Sequence, residues 1–330
     1  MGHGIGRAGV RGAGAMSAPP IPMVVVGGYL GAGKTTLLNR LLANAQGRRI
    51  AVLVNDFGEI NLDAALIRAR SDDVIQLENG CICCSIGARL AEALMAVAAR
   101  GQRPELLVIE ASGVSDPQRI AQVGLLDPAF RLNAVVVAVD VTGVESSLRD
   151  PLVGEMVRRQ IAGASVVALT KADLGDAAQV ACAAQTVASI AARATVLAAW
   201  EGEVPLSVFV DAALPEPQGD AMLRAGGGWQ RAAEAVHAGI RSVCYRTHRG
   251  FDKARLRQAL TTPPVRLLRA KGIVRLAADP RWHEVHVVAG RMRLSPIARG
   301  ESRESALVFI GAFDAADEER LRACLDLALA

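Results

Sequence analysis

The octapeptide Gly28-Tyr29-Leu30-Gly31-Ala32-Gly33-Lys34-Thr35 constrains this chain more than any other stretch. It satisfies G-x-x-x-x-G-K-S/T at every position. A β-branched run at 23–26 precedes it, and a helical stretch at 34–46 follows, with Leu37, Leu38, Leu41 and Leu42 at helical spacing. Strand, glycine loop and helix in that order form a phosphate cradle. Glycines let successive backbone N–H groups turn inward around phosphate oxygens, and the helix N-terminus adds its partial positive charge. The spacing assigns Gly28, Gly31, Ala32, Gly33, Lys34, Thr35 and Thr36 to phosphate binding. Lys34 is expected to reach the β/γ-phosphates, and the Thr35 hydroxyl to ligate Mg²⁺.

Such a loop needs a buried parallel sheet behind it, and the sequence supplies one. Short apolar runs at 50–54, 74–77, 106–109, 134–139, 165–169 and 195–197 alternate with helical patterns, notably at 88–99 and 177–191. The runs are apolar throughout, so both sheet faces should be covered by helices, an α/β P-loop fold. After about residue 211, Pro215, Pro217 and Gly226-Gly227-Gly228 break the pattern. Strands at 240–245, 265–276, 284–288 and 306–310 and helices at 253–260 and 315–328 then read as a small α+β domain. The expected organisation is a disordered leader at 1–20 with Met16 as an alternative start, a nucleotide domain at 21–211, a linker at 212–239 and a C-terminal domain at 240–330.

Composition excludes several classes. Aromatics are 3%, and 37 basic residues nearly balance 33 acidic ones, with no basic block, which argues against nucleic acid as a partner. No uncharged apolar run reaches the ~18–20 residues of a membrane span. Six cysteines in 330 residues are too few for a disulfide scaffold, which with no signal-peptide pattern points to a reducing, cytoplasmic setting.

Three further motifs carry chemistry. Glu110 ends an apolar strand and is followed by Ala111-Ser112-Gly113; an acid there can hold Mg²⁺, and Gly113 allows close approach to the γ-phosphate. Asp140 also ends a strand and is read as structural. Thr170-Lys171-Ala172-Asp173 stands where guanine-nucleotide proteins carry N-K-x-D. Asp173 would accept from the guanine N1–H and 2-amino groups, and the Lys171 stem would pack on the base, so GTP is favoured over ATP although Thr170 replaces the usual Asn. Glu78-Asn79-Gly80-Cys81-Ile82-Cys83-Cys84 brings three thiols within four residues. As thiolates Cys81, Cys83 and Cys84 suit Zn²⁺, or Co²⁺, in a tetrahedral site. The other readings are a redox pair of Cys81 and Cys84, or inert buried thiols. Cys182, Cys244 and Cys324 stand singly and are read as core. Between the glycine loop and the cysteine cluster, Asn55-Asp56-Phe57-Gly58-Glu59-Ile60-Asn61-Leu62-Asp63 takes the place of a γ-phosphate-sensing switch. From it Asp56 or Glu59 could reach either Mg²⁺ or the thiolate metal. No glutamine stands at an obvious switch position; Asp56, Glu59 and Glu110 are candidates to orient the attacking water, and an arginine from a partner or a second subunit is an alternative.

The stretches at 27–39 (GGYLGAGKTTLLN), 55–63 (NDFGEINLD), 78–84 (ENGCICC) and 109–117 (IEASGVSDP) together resemble the CobW-type branch of the P-loop metallochaperone GTPases, the group that includes HypB and UreG. Residues 245–252, 269–272 and 307–311 resemble the family's C-terminal domain, so the resemblance spans about 21 to 329. It implies GTP hydrolysis to GDP coupled to delivery of a transition metal, zinc or cobalt, to a client metalloprotein, with a homodimer left open. The five histidines are scattered, without the His-rich tract many relatives carry. His283 and His286, three apart on a strand, should face opposite ways and are read as structural or surface. The expectation is one metal at the cysteines rather than a store. The runner-up reading is a nucleotide-gated redox or scaffold protein.

Overall fold

The computed structural model describes residues 19–54, 74–76, 86–210, 229–231, 241–288, 290–297 and 304–330. In the first half the expected alternation appears as β1 (Ile21–Gly27), α1 (Lys34–Ala43), β2 (Ile50–Val54), β3 (Val74–Gln76), α2 (Ile86–Ala98), β4 (Leu106–Glu110), α3 (Pro117–Gly124), β5 (Phe130–Asp140), α4 (Val144–Arg149), α5 (Gly154–Ala162), β6 (Val166–Thr170), α6 (Ala177–Ile190) and β7 (Thr195–Ala198). The strands form one seven-stranded parallel sheet in the order β3-β2-β4-β1-β5-β6-β7. β1 lies between β4 and β5, so the glycine loop leaves the sheet near its middle.

The strands read as continuous apolar runs because alternate residues serve two cores. Met23 and Val25 face one side, packed with Leu90, Leu94, Ile120 and Ile161 of the flanking helices. Val24 and Val26 face the other, with Leu37, Leu38 and Leu41 of α1. Three short helices, α3 to α5, were not marked by periodicity. The first carries a start signal all the same: Asp116 caps it by accepting from the Gln118 N–H at 2.9 Å, and Pro117 follows.

The second half forms β8 (Trp229–Arg231), β9 (Arg241–Thr247), α7 (Lys253–Thr261), β10 (Leu267–Leu276), β11 (Asp279–Val288), β12 (Arg291–Pro296), β13 (Ser305–Gly311) and α8 (Ala315–Asp326). Its six-stranded antiparallel sheet has the order β12-β11-β10-β13-β9-β8. Residues 229–231, inside the stretch read as linker, are an edge strand of this sheet. One face, with Tyr245, Leu307 and Phe309, packs on α7 and α8. The opposite face places Cys244, Leu268, Val308 and Ile310 in the same core as Val24, Val136 and the 208–210 segment of the first unit. The two sheets are therefore joined by a shared apolar core. Polar ties run along the seam. Arg269, nearly fully buried, donates to the Ser207 carbonyl at 2.7 Å, and buried Asn133 donates to the Phe209 carbonyl at 3.1 Å.

Cys244 is core, and burial pushes its thiol pKa up, while Cys324 packs at the edge of the C-terminal core. Cys182 corrects the expectation: it is exposed, because α6 buries Ala183 and Val187 and turns the neighbouring position to solvent. His283 and His286 are buried and structural. His283 Nδ1 lies 3.0 Å from the Arg281 carbonyl, and His286 Nε2 lies 3.0 Å from Arg131 across the seam.

Candidate nucleotide site

The carboxyl-terminal edge of a parallel α/β sheet is where ligands collect, and the chemistry-bearing residues meet there. Gly28, Gly31 and Gly33 all have positive φ, at 134°, 72° and 84°. At Gly28 the constraint is absolute, since a Cβ would lie 2.3 Å from the Ala138 carbonyl oxygen. Gly33 is the N-cap of α1 and gives no side-chain cap, and no acid occupies the first turn. The first N–H groups of α1 therefore lack the side-chain acceptor that usually satisfies them. A cradle only glycine can form, ending in an uncapped helix N-terminus, fits a phosphate chain. Lys34 Nζ curls over the loop entrance, donating to the carbonyls of Gly28 at 3.1 Å and Tyr29 at 3.3 Å.

Strand register lines up the rest. Gln76 pairs with Val54, Val54 with Glu110, and Glu110 with Val26, two residues before the glycine loop. Four strand ends thus form a row across the edge. Glu110 is buried at 3% exposure. Its Oε2 is buried, and a carboxylate oxygen, like the Thr35 hydroxyl at the start of α1, is the donor type that a hard divalent cation such as Mg²⁺ takes. Gly113 presses on the cradle: a Cβ there would sit 2.8 Å from the Leu30 nitrogen. Its carbonyl, and that of Ser115, accept from Gln160 Nε2 at 3.1 and 2.8 Å. Sequence reasoning passed over Gln160, which lies on an unmarked helix. Its amide N–H groups are committed to holding this loop in place.

The 170–173 segment closes the other side. Thr170 is buried, and its hydroxyl donates to the Ala32 carbonyl at 2.7 Å. The residue that departs from the usual Asn therefore ties β6 to the glycine loop. Lys171 has φ 55°, and its ammonium reaches Asp140 Oδ2 at 2.6 Å. Burial alone would raise the Asp140 pKa, but bonds from Lys171 and Thr142 outweigh it and hold the carboxyl below its ordinary value. Asp140 is thus the structural support of this loop. Asp173 is exposed, and its Oδ1 accepts from the Glu201 N–H at 3.2 Å.

Asp56, Glu59, Cys81, Cys83 and Cys84 lie outside the described residues. Among the described residues no three metal-ligating side chains cluster, and no helix is long and apolar enough to cross a membrane.

The cradle, the acid at the end of a neighbouring strand and the 170–173 loop opposite define a P-loop nucleotide-binding protein. The chain belongs to the CobW/HypB/UreG family: the family's nucleotide-binding domain matches residues 22–198, and the cobalamin synthesis protein cobW C-terminal domain matches 240–329. Among curated relatives, it is 31% identical over 219 residues to a zinc chaperone CobW of Sinorhizobium, covering 58% of this chain and 62% of that protein. It is 33% identical over 199 residues to the zinc chaperone YjiA of Escherichia coli, covering 58% and 61%. A zinc-regulated GTPase metalloprotein activator of Dictyostelium discoideum is 28% identical over 317 residues, covering 82% and 66%. The chain thus spans about three fifths of the length of the first curated relatives it matches. The Zn(II)-bound YjiA GTPase structure from E. coli aligns over 94% of this chain and 99% of that one, at 22% identity and a TM-score of 0.45.

Proposed function

We propose that this protein is a GTP-hydrolysing metallochaperone that binds a transition ion, zinc before cobalt, at Cys81, Cys83 and Cys84 and passes it to a client metalloprotein under nucleotide control. Membership of the family and the names of the relatives support the class. The observation that carries the coupling is the row of strand ends Gln76, Val54, Glu110 and Val26. The segment bearing Asp56 and Glu59 starts one residue after Val54, and the segment bearing the cysteines starts one residue after Gln76. The strand ends that precede these two segments thus stand two and three strands from β1, on the same sheet edge as the phosphate cradle, and this placement supports reading the two sites as coupled through the first segment.

In this reading the chain's catalysis is positioning. The cradle N–H groups and Lys34 hold the β- and γ-phosphates, Asp173 and Lys171 orient the base, and Thr170 keeps the two halves in register. Bound Mg²⁺, held by Thr35 and Glu110, would neutralise charge on the phosphate oxygens. The metal cargo is the transported species rather than a catalytic group.

The test is Zn²⁺ titration against a competing chelator, on reduced full-length protein, first with GDP and then with a non-hydrolysable GTP analogue. Linked sites should differ in zinc affinity by about 5–150-fold between the two states. Cys83→Ser should remove most zinc binding and leave GDP affinity unchanged, while Lys34→Ala should lose GTP hydrolysis. Equal zinc affinity in both states rejects nucleotide control. Protein that binds no zinc and shows two fewer free thiols supports the redox alternative instead.

A further inference from the structure

Among the described residues, three non-glycines have left-handed backbone: Gln46, Lys171 and Glu201. Such conformations are costly for an L-residue and persist where surrounding contacts impose them. Gln46 precedes Gly47 in the exposed turn after α1. The other two bracket Asp173, and each is held by an ion pair from a different element. Lys171 is held by Asp140. Glu201 is held by Arg40 of α1, whose Nε donates to the Glu201 carbonyl at 3.0 Å and whose Nη2 reaches Oε2 at 2.6 Å. The Glu201 N–H then donates to Asp173 Oδ1. Gly202 presses the same turn onto α1, where a Cβ would meet the Thr36 methyl at 2.9 Å and the Leu37 nitrogen at 3.3 Å.

We infer that Arg40 and Glu201 are positioning residues for base selection, fixing the Asp173 carboxylate and coupling it to the helix that opens at the phosphate cradle. The inference rests on the assignment of Asp173 to the guanine base. An exposed ion pair contributes little to stability by itself, and a surface glutamate needs no left-handed backbone to make one. Here the pair holds a strained turn whose N–H occupies one lone pair of Oδ1 and fixes the carboxylate plane. That leaves Oδ2 and the remaining lone pairs available to a donor pair such as the N1–H and exocyclic amine of guanine. Hypoxanthine offers only the first, so discrimination against it reports how well the carboxylate is aimed.

The experiment measures GDP and IDP dissociation constants, with Mg²⁺, for the full chain. Wild type should favour GDP by about tenfold or more, since hydrogen bonds to charged groups are the strong ones. Arg40→Ala should weaken GDP more than IDP and shrink the ratio about two- to fivefold. Arg40→Lys should restore part of it. Glu201→Gly, which accommodates the left-handed backbone but removes the carboxylate, should shift the ratio in the same direction and serves if Arg40→Ala fails to fold. Asp173→Asn is the control. If it collapses the ratio while Arg40→Ala and Glu201→Gly leave the ratio at its wild-type value, including by weakening both nucleotides equally, the positioning role is overturned and the base assignment stands. If Asp173→Asn itself leaves the ratio unchanged, the base assignment falls and this inference with it.

Discussion

Replacing Thr170 by valine isolates a single bond. Threonine and valine have nearly the same shape, so Thr170→Val removes the donor without opening a cavity. In the native protein the hydroxyl sits 2.7 Å from the Ala32 carbonyl oxygen, and both residues are buried, at 2% and 4% exposure. A buried acceptor that loses its partner costs about 1–3 kcal/mol. Guanidinium unfolding of the nucleotide-free protein should therefore show a lower midpoint at unchanged slope, because the loss is local and the surface exposed on unfolding is the same. The bond also has a functional end, since Ala32 belongs to the phosphate cradle. If the untied loop holds its binding shape only about a tenth of the time, the apparent GDP dissociation constant rises tenfold. Calorimetric GDP titration reads that directly. A stability change within about 0.5 kcal/mol, the range of ordinary surface substitutions, would refute the energetic argument. A clear stability loss with unchanged GDP affinity would refute the claim that the bond shapes the cradle.

Two further substitutions probe neighbouring contacts. Gly113→Ala places a methyl 2.8 Å from the Leu30 nitrogen, so the 112–116 loop or the cradle must shift. Overpacking of this kind costs about 1–3 kcal/mol, and GTP turnover should fall by more than thermal stability does, as compared by phosphate release and melting. Leu268→Ala, at a position with no solvent exposure in the core shared by the two sheets, should cost about 2–5 kcal/mol and lower a single cooperative transition. Two separate transitions in wild type, with only one shifted in the mutant, would show that the shared core does not unite them.

What could be read from the sequence follows from how local its signal is. The glycine loop was legible because backbone chemistry dictates residue types at fixed spacing. The buried strands were legible because a two-faced sheet writes continuous apolar runs. β12 was not: it is a half-exposed edge strand whose alternation, Arg291-Met292-Arg293-Leu294 with the two apolar side chains packed on the C-terminal core, runs for only four residues. The partners of Thr170, Asp140 and Gln160 were not legible either, since each reaches backbone or side chains 31 to 138 residues away. Nor do Lys171 and Glu201 announce left-handed backbone, which in sequence is marked by glycine or asparagine. One signal was present and underused. Ser305–Gly311 is buried at every position, as the apolar run SALVFIG implies, so this antiparallel strand has no solvent face.

That fully covered strand bears on how a nucleotide signal could reach the C-terminal domain. Leu307 and Phe309 pack under α7 and α8, whereas Val308 and Ile310 complete the core that Val24, Val136 and Leu37 begin. Domains joined by small polar surfaces move relative to one another by default, whereas a large apolar junction resists it. Swinging the second sheet away would expose Cys244, Leu268, Val308 and Ile310 together, in addition to breaking the bonds of Arg269 to Ser207 and Asn133 to Phe209. Burial of one such side chain is worth about 1.5–3 kcal/mol, so exposing four would cost more than a nucleotide's differential binding of 1–3 kcal/mol can supply. A nucleotide-driven change must therefore be expressed at the edge where β1 to β4 end, with the second sheet as a fixed support. Placing paired probes on Cys182 and on an engineered cysteine at Arg291 would check this, since both are exposed and lie on opposite sides of the junction. Their separation should be the same in GDP and in a GTP analogue, and a change of several ångströms would require the shared core to open.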